Sequence, residues 1–337
     1  MTMTYIDKTP RTRQSRRRIA RLTMDLWLPL AAVALTVAIA AVRPQLLDPG
    51  NIAAVLKSFS VMAVMVLGLT WVIAAGKIDV SFMQVAALAN MICAFALAHG
   101  WGWGASICAS IAAGLLVGLV NGWLVAAMRL PALIVTISTA GICASIAAAL
   151  GKGTVIRIAE PGPFAPLLRP VLGGTVPPVV FVVLILAALA WYVQERLTMG
   201  RYIYALAQNE AAVRTVGVPV VGLTVLLFAV SGVCAAMAGV LLAEHLASGQ
   251  PMIGGPYLIN GLTVVLLGGM MVRVGKPNIL GTLTATLFLG VLFSGAALLG
   301  LPDYQRQIIQ GALLVLGLIV ATLAARHHGA KEHHDGA

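Results

Sequence analysis

Carboxylates and histidines are the side chains of this chain that could move a proton, bind a metal ion or assist a reaction. The sequence has 11 Asp and Glu and six His, and all of them fall in expected loops or near the ends of apolar runs. An ionisable group at a bilayer centre costs about 2.5–3.5 kcal/mol on insertion scales, so it is kept there for function. We therefore expect no ion-binding carboxylate and no intramembrane active site. The carboxylates are Asp7, Asp25, Asp48, Asp79, Glu160, Glu195, Glu210, Glu244, Asp303, Glu332 and Asp335.

The sequence also has no pattern that is typical of a nucleotide site or of a metal site. The turn Val274-Gly-Lys-Pro277 lacks the upstream glycine spacing and the Ser or Thr of a phosphate-binding loop. The tail histidines have no spacing that fixes a metal geometry, and a solvated tail is the expected interpretation. The cysteines lie inside apolar runs, which favours structural thiols. No cofactor is therefore expected on this chain. These residues are His327, His328, His333 and His334, and Cys93, Cys108, Cys143 and Cys234.

A polar stretch between two apolar runs, Thr198–Pro219, is the exception in a chain with few charges. Its centre, Ala205–Val213, is rich in good helix formers, and Gly217 stands where a helix would end. Glu210 and Arg214 are four residues apart, so they can pair on one helix face. We predict a short surface helix that another protein can grip. A solvated loop that only reconnects two spans stays an open alternative.

The composition indicates a membrane protein. The chain is 60% hydrophobic and 10% charged, with a net charge of +11. Basic residues cluster before the first apolar run, which is typical of a cytoplasmic N-terminus and of contact with anionic lipid, and nucleic acid is not expected as a partner. This cluster consists of Lys8, Arg11, Arg13, Arg16, Arg17, Arg18 and Arg21.

Recurring apolar runs of bilayer length predict an all-α polytopic membrane protein with about ten transmembrane helices and both termini cytoplasmic. We expect a basic tail, 1–24, a transmembrane domain, 25–325, and a cytoplasmic tail, 326–337. The bias of basic residues puts the polar loop 196–220 inside and the Gly- and Pro-rich loop Gly151–Pro178 outside. The spans are about 25–43, 52–75, 80–98, 104–127, 131–150, 179–195, 221–243, 258–272, 279–299 and 305–324.

Neutral polar side chains within the spans can either hydrogen-bond a hydroxylated solute or bond across helices. Gly114, Gly118 and Gly122 form two GxxxG steps, which we interpret as helix packing. A weak internal echo relates Gly68–Gly76 to Gly261–Gly269, as repeated halves would. The candidate substrate-path residues are Asn90, Thr136, Ser138, Ser231, Asn260 and Thr263.

Several segments carry a resemblance to a known family. Thr198–Ala212 is similar to a cytoplasmic coupling loop, and Gly76–Ser81 resembles a glycine-rich IDLS motif. Asn121–Ala126 with Pro131–Thr139 is similar to an NG…P.FIVTL.T segment. Ser248–Pro251, Gly268-Gly269 and Gly281-Thr282 also match. Over about residues 50–320, the chain resembles ribose-type permeases of ABC importers, in the branched-chain permease superfamily.

The resemblance implies a multi-pass protein of the bacterial inner membrane that imports a monosaccharide or polyol. It implies three partners: ABC ATPase subunits that hold ATP and Mg²⁺, a periplasmic solute-binding protein, and a second permease. Departures at Gly76-Lys77, Phe82-Met83 and Val274–Asn278 favour a non-identical second permease over a homodimer. The expected ATPase-coupling residues are Gly200, Arg201, Asn209, Glu210, Ala211, Ala212, Arg214 and Gly217.

Two other classes of function remain open at this point. One is a stand-alone secondary carrier or channel for a small polar solute, which would transport without an ATPase. The other is an intramembrane enzyme, for which the chain offers no buried dyad. The missing nucleotide site and the expected inside position of the polar loop favour a permease that receives its energy from another subunit.

Overall fold

The computed structural model describes residues 11–171, 173–272 and 275–332. Several residues considered above, among them His333, His334 and Val274, lie outside these ranges. The α-helices are α1 Arg11–Val42, α2 Pro49–Ala74, α3 Phe82–Ala98, α4 Trp103–Ala126, α5 Ala132–Leu150, α6 Ala165–Leu168, α7 Val179–Arg196, α8 Thr198–Gln208, α9 Glu210–Thr215, α10 Val220–Leu246, α11 Gly255–Gly268, α12 Ile279–Leu298 and α13 Asp303–Glu332. A 3₁₀ turn, Pro44–Leu47, and two short strands, β1 Ile156–Arg157 and β2 Ser248–Gly249, complete the list.

Six of the described helices, α2, α4, α5, α7, α10 and α12, are long and apolar enough to cross a membrane. Three shorter apolar segments, Leu26–Val42, Phe82–Ala98 and Gly255–Gly268, accompany them. The mainly helical architecture with several candidate membrane spans is therefore confirmed. The count of ten spans and the cytoplasmic position of both termini stay predictions.

Close packing of α4 against α10 forms the centre of the bundle. A Cβ on Gly118 would overlap the carbonyl oxygen of Phe228, and one on Gly114 would meet Gly232 in the same way. Gly122 lies equally close to the backbone of Val225. The GxxxG glycines are thus packing positions, because only a missing side chain lets the two backbones approach so closely.

The distribution of buried and exposed apolar residues differs from that of a water-soluble protein. From Phe59 to Ala75, the chain of α2 is almost completely buried. Peripheral helices instead expose large apolar side chains, such as Ile134 on α5 (63% exposed), Ile185 on α7 (62%) and Leu116 on α4 (63%). Exposed apolar surface on this scale fits contact with lipid or with another membrane subunit.

The loop Gly151–Pro178 has more structure than its composition indicates. Its strand β1 pairs antiparallel with β2, which follows α10, and Ile156 faces Gly249 in the register. The loop also contains the single turn α6. This β-pair lies at one end of the bundle. The polar stretch Thr198–Pro219, which we call the polar segment, lies before α10 at the other end.

The polar segment differs from the single helix predicted over Ala205–Val213. The chain leaves helical geometry at Asn209 (φ −155°, ψ 94°), which separates α8 from α9. The side-chain oxygen of Asn209 accepts a hydrogen bond of 3.0 Å from the backbone N–H of Ala212. That prediction was wrong because Asn is a strong N-cap residue, and here it starts a new helix in place of extending the old one.

The α4–α10 contact makes a prediction. Gly118→Ala should lower the melting temperature of the purified protein in detergent, because the added Cβ forces the helices apart at a cost of about 1–3 kcal/mol. A Cβ on Gly222 of α10 would meet nothing within 4 Å, so Gly222→Ala serves as the matched control. Equal melting temperatures for the two variants would contradict this account of the packing.

Candidate functional site

The corner between α7 and α8 is fixed by a glycine and two buried side chains. A Cβ on Gly200 would overlap the carbonyl of Gln194, so only glycine allows this turn. Gln194 is buried, and its amide donates 3.1 Å to the carbonyl of Pro277 and accepts 3.0 Å from the N–H of Ile279. Tyr204 donates 3.2 Å to the same Pro277 carbonyl. Helix α8 is therefore tied to the connection between α11 and α12.

A second contact ties the polar segment to the connection between α2 and α3. Lys77 Nζ lies 2.8 Å from Glu210 Oε2, and Arg214 lies 3.2 Å from the other oxygen of the same carboxylate. The predicted pairing of Glu210 with Arg214 is thus confirmed. Gly76 has a positive φ of 75°, and a Cβ there would be 3.0 Å from the Cα of Ala207. The two connections that lead into the bundle therefore both contact this segment.

The electrostatics of this contact keep Glu210 charged. The hydrogen bond from Lys77 lowers the pKa of Glu210 below its ordinary value of 4.5, and Arg214 adds to the effect. A lowered pKa means that the ion pair contributes fully at neutral pH and is lost only as the pH falls through that lowered pKa. Since both side chains are partly exposed, the pair stabilises the fold only modestly.

Helix α9 presents a small exposed surface. Asn209, Ala211, Ala212 and Thr215 are exposed, while Val213 is buried and anchors the helix. Beyond the helix, Val216 is 75% exposed, an unusual position for a valine in a turn that faces water. We name Asn209, Ala211, Ala212, Thr215 and Val216 the α9 surface. Its low relief and its apolar end fit the groove of a partner protein.

The remaining predicted coupling residues frame this surface. Gly217 has φ 82°, a left-handed conformation that lets the chain turn back into α10, as its position after α9 indicated. Arg201 is exposed on α8, and Arg214 is exposed on α9. Ala205 is half-buried, so it does not continue the exposed face of Ala211 and Ala212. The structure thus brings the predicted coupling residues to one end of the bundle, and Ala205 is not part of the exposed surface.

A buried carboxylate corrects the expectation that no acidic group lies inside the bundle. Asp79 is 2% exposed, and one of its oxygens accepts 2.8 Å from Ser231 Oγ, near the middle of the 27-residue helix α10. Its other oxygen accepts from the N–H (2.8 Å) and the hydroxyl (2.6 Å) of Ser81. Asn121 donates 2.9 Å to the same Ser81 hydroxyl. Among the described residues, no cation pairs with Asp79.

The loop position of Asp79 in the sequence was therefore misleading. The chain from Gly76 to Ser81 is non-helical, and it runs from the polar segment into the bundle before α3 begins at Phe82. A non-helical stretch of this kind is tolerated inside a membrane protein only where protein surrounds it and satisfies its polar groups. The Ile-Asp-Val-Ser pattern, with two hydrogen-bonding side chains directly before an apolar run, was the signal that could have located it.

Three of the candidate substrate-path residues bond non-helical backbone or the Asp79 cluster. The amide of Asn90 donates to the carbonyl of Ser248 (3.2 Å) and accepts from the N–H of Gln250 (2.7 Å). Thr136 Oγ1 accepts from the N–H of Val80 at 3.2 Å. Together with Ser231 at Asp79, these contacts hold non-helical backbone in place.

The other three candidates are in different surroundings. Ser138 is exposed and donates to its own helix, 2.9 Å from the carbonyl of Ile134. Thr263 is buried and donates 2.7 Å to the carbonyl of Ile259. Asn260 lines a cavity of about 750 Å³ between α2, α10, α11 and α12, and its side-chain oxygen has no partner among the described residues. Asn260 is therefore the candidate that faces open space.

Known proteins are similar in sequence to this chain over most of its length. The family described as "Branched-chain amino acid transport system / permease component" matches residues 51–318. The chain belongs to this family. Like its members, it is a permease component and a multi-pass protein of the inner membrane. The match covers the two connections, the polar segment and helices α3 to α12.

Several individual relatives are named as import permeases. The ribose import permease protein RbsC of Haemophilus influenzae is 32% identical over 319 residues, which cover 94% of this chain and 97% of the relative. RbsC of Escherichia coli (strain K12) is 30% identical, over 86% of this chain and 91% of the relative. The autoinducer 2 import system permease protein LsrD of Yersinia enterocolitica is 30% identical, over 80% and 83%.

The Asp79 cluster makes a prediction about stability. Asp79→Ala should lower the melting temperature in detergent, because Ser81 and Ser231 lose their acceptor inside the bundle, at a cost of about 1–3 kcal/mol. Asp79→Asn keeps one acceptor oxygen and should lie between the wild type and Asp79→Ala. Ser138→Ala, at an exposed position, is the control. If Asp79→Ala melted with the control, the cluster would have no structural role.

Proposed function

We propose that this chain is the membrane subunit of an ABC importer, and that it moves a sugar-like solute into the cytoplasm with energy from a separate ATPase. The observation that carries this proposal is the position of α8 and α9. They contact both connections that run into the bundle, through Lys77 on one side and Pro277 on the other. They also leave the α9 surface free for a partner.

The geometry supports a mechanical path from this surface to the interior. A partner that grips α9 displaces Glu210, which is paired with Lys77. Lys77 is two residues from Asp79, and Asp79 is bonded to Ser231 of α10. A displacement at α9 is thus transmitted to the centre of the bundle through one ion pair and a few residues of non-helical chain. No nucleotide needs to bind this chain for that transmission.

The partners follow from this assignment. ATPase subunits would seat on the α9 surface and hold ATP and Mg²⁺, and a periplasmic solute-binding protein would deliver the solute at the opposite end. A second permease would complete the pathway, and the departures at Gly76-Lys77 and Phe82-Met83 favour a non-identical one. Relatives that are named for ribose and for autoinducer 2 support a small solute of the sugar class.

The candidate substrate-path residues divide into two roles under this proposal. Asn90 and Thr136 bond backbone and Ser231 bonds the Asp79 carboxylate, so these three shape the path and do not contact solute. Asn260 lines a cavity, so it is the candidate placed beside space that a solute could occupy.

One observation favours the alternative of a stand-alone secondary carrier. Such carriers keep an ionisable residue inside the membrane, and Asp79 is a buried carboxylate without a cationic partner among the described residues. Each of its oxygens already accepts hydrogen bonds from serine side chains or backbone, however, which fits a structural acceptor. The sequence argument against a carrier was that no acid lies inside the bundle, and the burial of Asp79 removes that argument. The contacts of α8 and α9 and the family membership favour the importer.

The coupling role of the α9 surface predicts a joint loss of binding and transport. Ala212→Trp adds bulk to the surface, and Gly217→Val strains a left-handed turn, so both should reduce ATPase co-purification and solute uptake together. Ala98→Trp and Gly100→Val are the matched controls, because Ala98 is exposed and Gly100 has φ 81°, both at the opposite end.

Three outcomes separate the hypotheses in that experiment. Loss in the α9 variants with normal controls supports the importer. Normal ATPase association and normal uptake in both α9 variants would disprove the coupling role. Uptake by the reconstituted permease alone, driven by a proton gradient without any ATPase, would instead support the carrier.

The Lys77–Glu210 pair predicts a different defect. Lys77→Met removes the link to the α2–α3 connection but leaves the α9 surface intact, so ATPase co-purification should persist while uptake falls about two- to fivefold. Lys77→Arg keeps the charge and should restore most of the uptake. Arg214→Met removes the more exposed partner of Glu210 and should have the smaller effect. Loss of ATPase binding in Lys77→Met would refute this separation of roles.

A further inference from the structure

An apolar groove runs along α7, and its walls come mainly from α2, α7 and α10. Two cavities, of about 200 Å³ and about 100 Å³, form it, and Val64, Leu186 and Met237 line both of them. Apart from Gly68, every residue that lines them is hydrophobic. Neither cavity shares a lining residue with the larger one beside Asn260, so the groove is separate from the space that a solute could occupy.

The groove follows α7, a candidate membrane span, through much of the bilayer thickness. Its wall on α7 extends from Val179 to Val193, a distance of about 21 Å at 1.5 Å per residue. The end at Val193 lies next to the corner into α8, while Phe164 and Leu167 line the other end. One leaflet has a hydrocarbon depth of about 15 Å, so an acyl chain that enters at Val193 reaches Val183, past the narrow point between the cavities.

The size of the groove excludes a protein helix as its occupant. An α-helix with its side chains is about 10–12 Å across, which is too wide for cavities of these volumes. A single hydrocarbon chain is thin enough to enter. Leu189, on one lip of the groove, is 59% exposed, so the groove opens towards the surface that α7 presents to its surroundings. A lipid chain therefore fits this space, and a helix of a second membrane subunit does not.

An arginine at the α8 end of the groove selects the headgroup. Arg196 follows Val193 by three residues, so it lies on the same face of α7, one turn further along. It is exposed, and its Cζ lies 5.8 Å from the centre of the Trp191 ring, an aromatic residue typical of the membrane–water interface. Among the described residues, no carboxylate forms an ion pair with Arg196. A guanidinium in this position matches a phosphate group.

We propose that this groove binds one acyl chain of an anionic phospholipid, and that the lipid phosphate pairs with Arg196. The second chain of the lipid lies outside the groove, along exposed apolar side chains of α7 such as Leu184 and Ile185. The bound chain fills the space between α7 and α10 and so supports the helix that leads into α8. This binding requires neither solute nor ATPase, and it is therefore independent of the proposed function.

Native mass spectrometry of the purified full chain, titrated with lipid, tests both parts of the site. Phosphatidylglycerol should bind in one tight step, and more tightly than phosphatidylcholine with the same chains. Arg196→Gln should raise the Kd for phosphatidylglycerol about fivefold and leave that for phosphatidylcholine unchanged, and Arg196→Lys should restore most of the difference. Ala190→Phe fills the groove and should abolish the tight step for both lipids. Ala188→Phe, at an exposed position on the same helix, is the matched control.

Tryptophan fluorescence tests the position of the chain without adding bulk to the groove, so it decides the question even if Ala190→Phe does not fold. Trp71 lines the groove, whereas Trp123 is 53% exposed on α4 and does not line it. Phosphatidylglycerol with brominated chains should quench the fluorescence of the wild type in a saturable step. Trp71→Phe should lose this saturable quenching, and Trp123→Phe should keep it.

Each outcome decides the proposal. Tight binding of phosphatidylglycerol that depends on Arg196 and on an open groove supports it. Equal Kd values for the two lipids, or an unchanged Kd in Arg196→Gln, overturn it. A tight step that persists in Ala190→Phe protein with a wild-type melting temperature, or saturable quenching that persists in Trp71→Phe, places the lipid elsewhere and also overturns it. None of these measurements involves uptake, so failure of the importer proposal would appear separately, as normal uptake in the α9 variants.

Discussion

Non-helical backbone inside an apolar bundle must have every polar group satisfied by protein, and this constraint shapes the centre of the molecule. In the stretch from Gly76 to Ser81, side chains from three other helices supply part of these bonds. Thr136 of α5 accepts from the N–H of Val80, while Ser231 of α10 and Asn121 of α4 bond to Asp79 and Ser81. Removing any of these side chains exposes backbone or carboxylate to an apolar environment. The network explains why α3, α4, α5 and α10 come together here.

The connection between α11 and α12 is bonded from outside by Gln194 and Tyr204 and from within by Asn278. Asn278 is buried, donates 2.8 Å to the carbonyl of Met271, and accepts 2.8 Å from the N–H of Gly281 at the start of α12. Each connection thus has an Asp or Asn shortly before its next helix, and each follows one of the two echoing sequence segments, which end at Gly76 and Gly269. Helix α8 and the segment after it contact both connections. The echo therefore has a structural counterpart in two similar entries into the bundle.

The features that sequence reasoning predicted are local ones. Neighbouring residues alone were enough to predict three of them. They are the packing glycine Gly118, the turn at Gly217 and the pairing of Glu210 with Arg214. Burial of Asp79 also depends on Ser231, which is 152 residues away, and the local Ile-Asp-Val-Ser pattern does not identify that partner. The break at Asn209 was missed for another reason: average helix propensity over a window outweighed one strong capping residue.

The corner between α7 and α8 is anchored more strongly than α9 is, and this difference bears on the proposed coupling. Gln194 is 2% exposed and Tyr204 8%, and both bond the α11–α12 connection where water does not compete. The link to the α2–α3 connection is an ion pair whose side chains are 28% and 39% exposed, which is weaker and easily rearranged. Under the proposed function, a force on α9 would move α12 with it through the buried bonds, while the exposed ion pair would transmit a smaller displacement to the α2–α3 connection. Because Asp79 joins that connection to α10, the α11–α12 pair would then move relative to the central helices. The larger cavity is lined by α11 and α12 on one side and by α2 and α10 on the other, so such a motion would change its width.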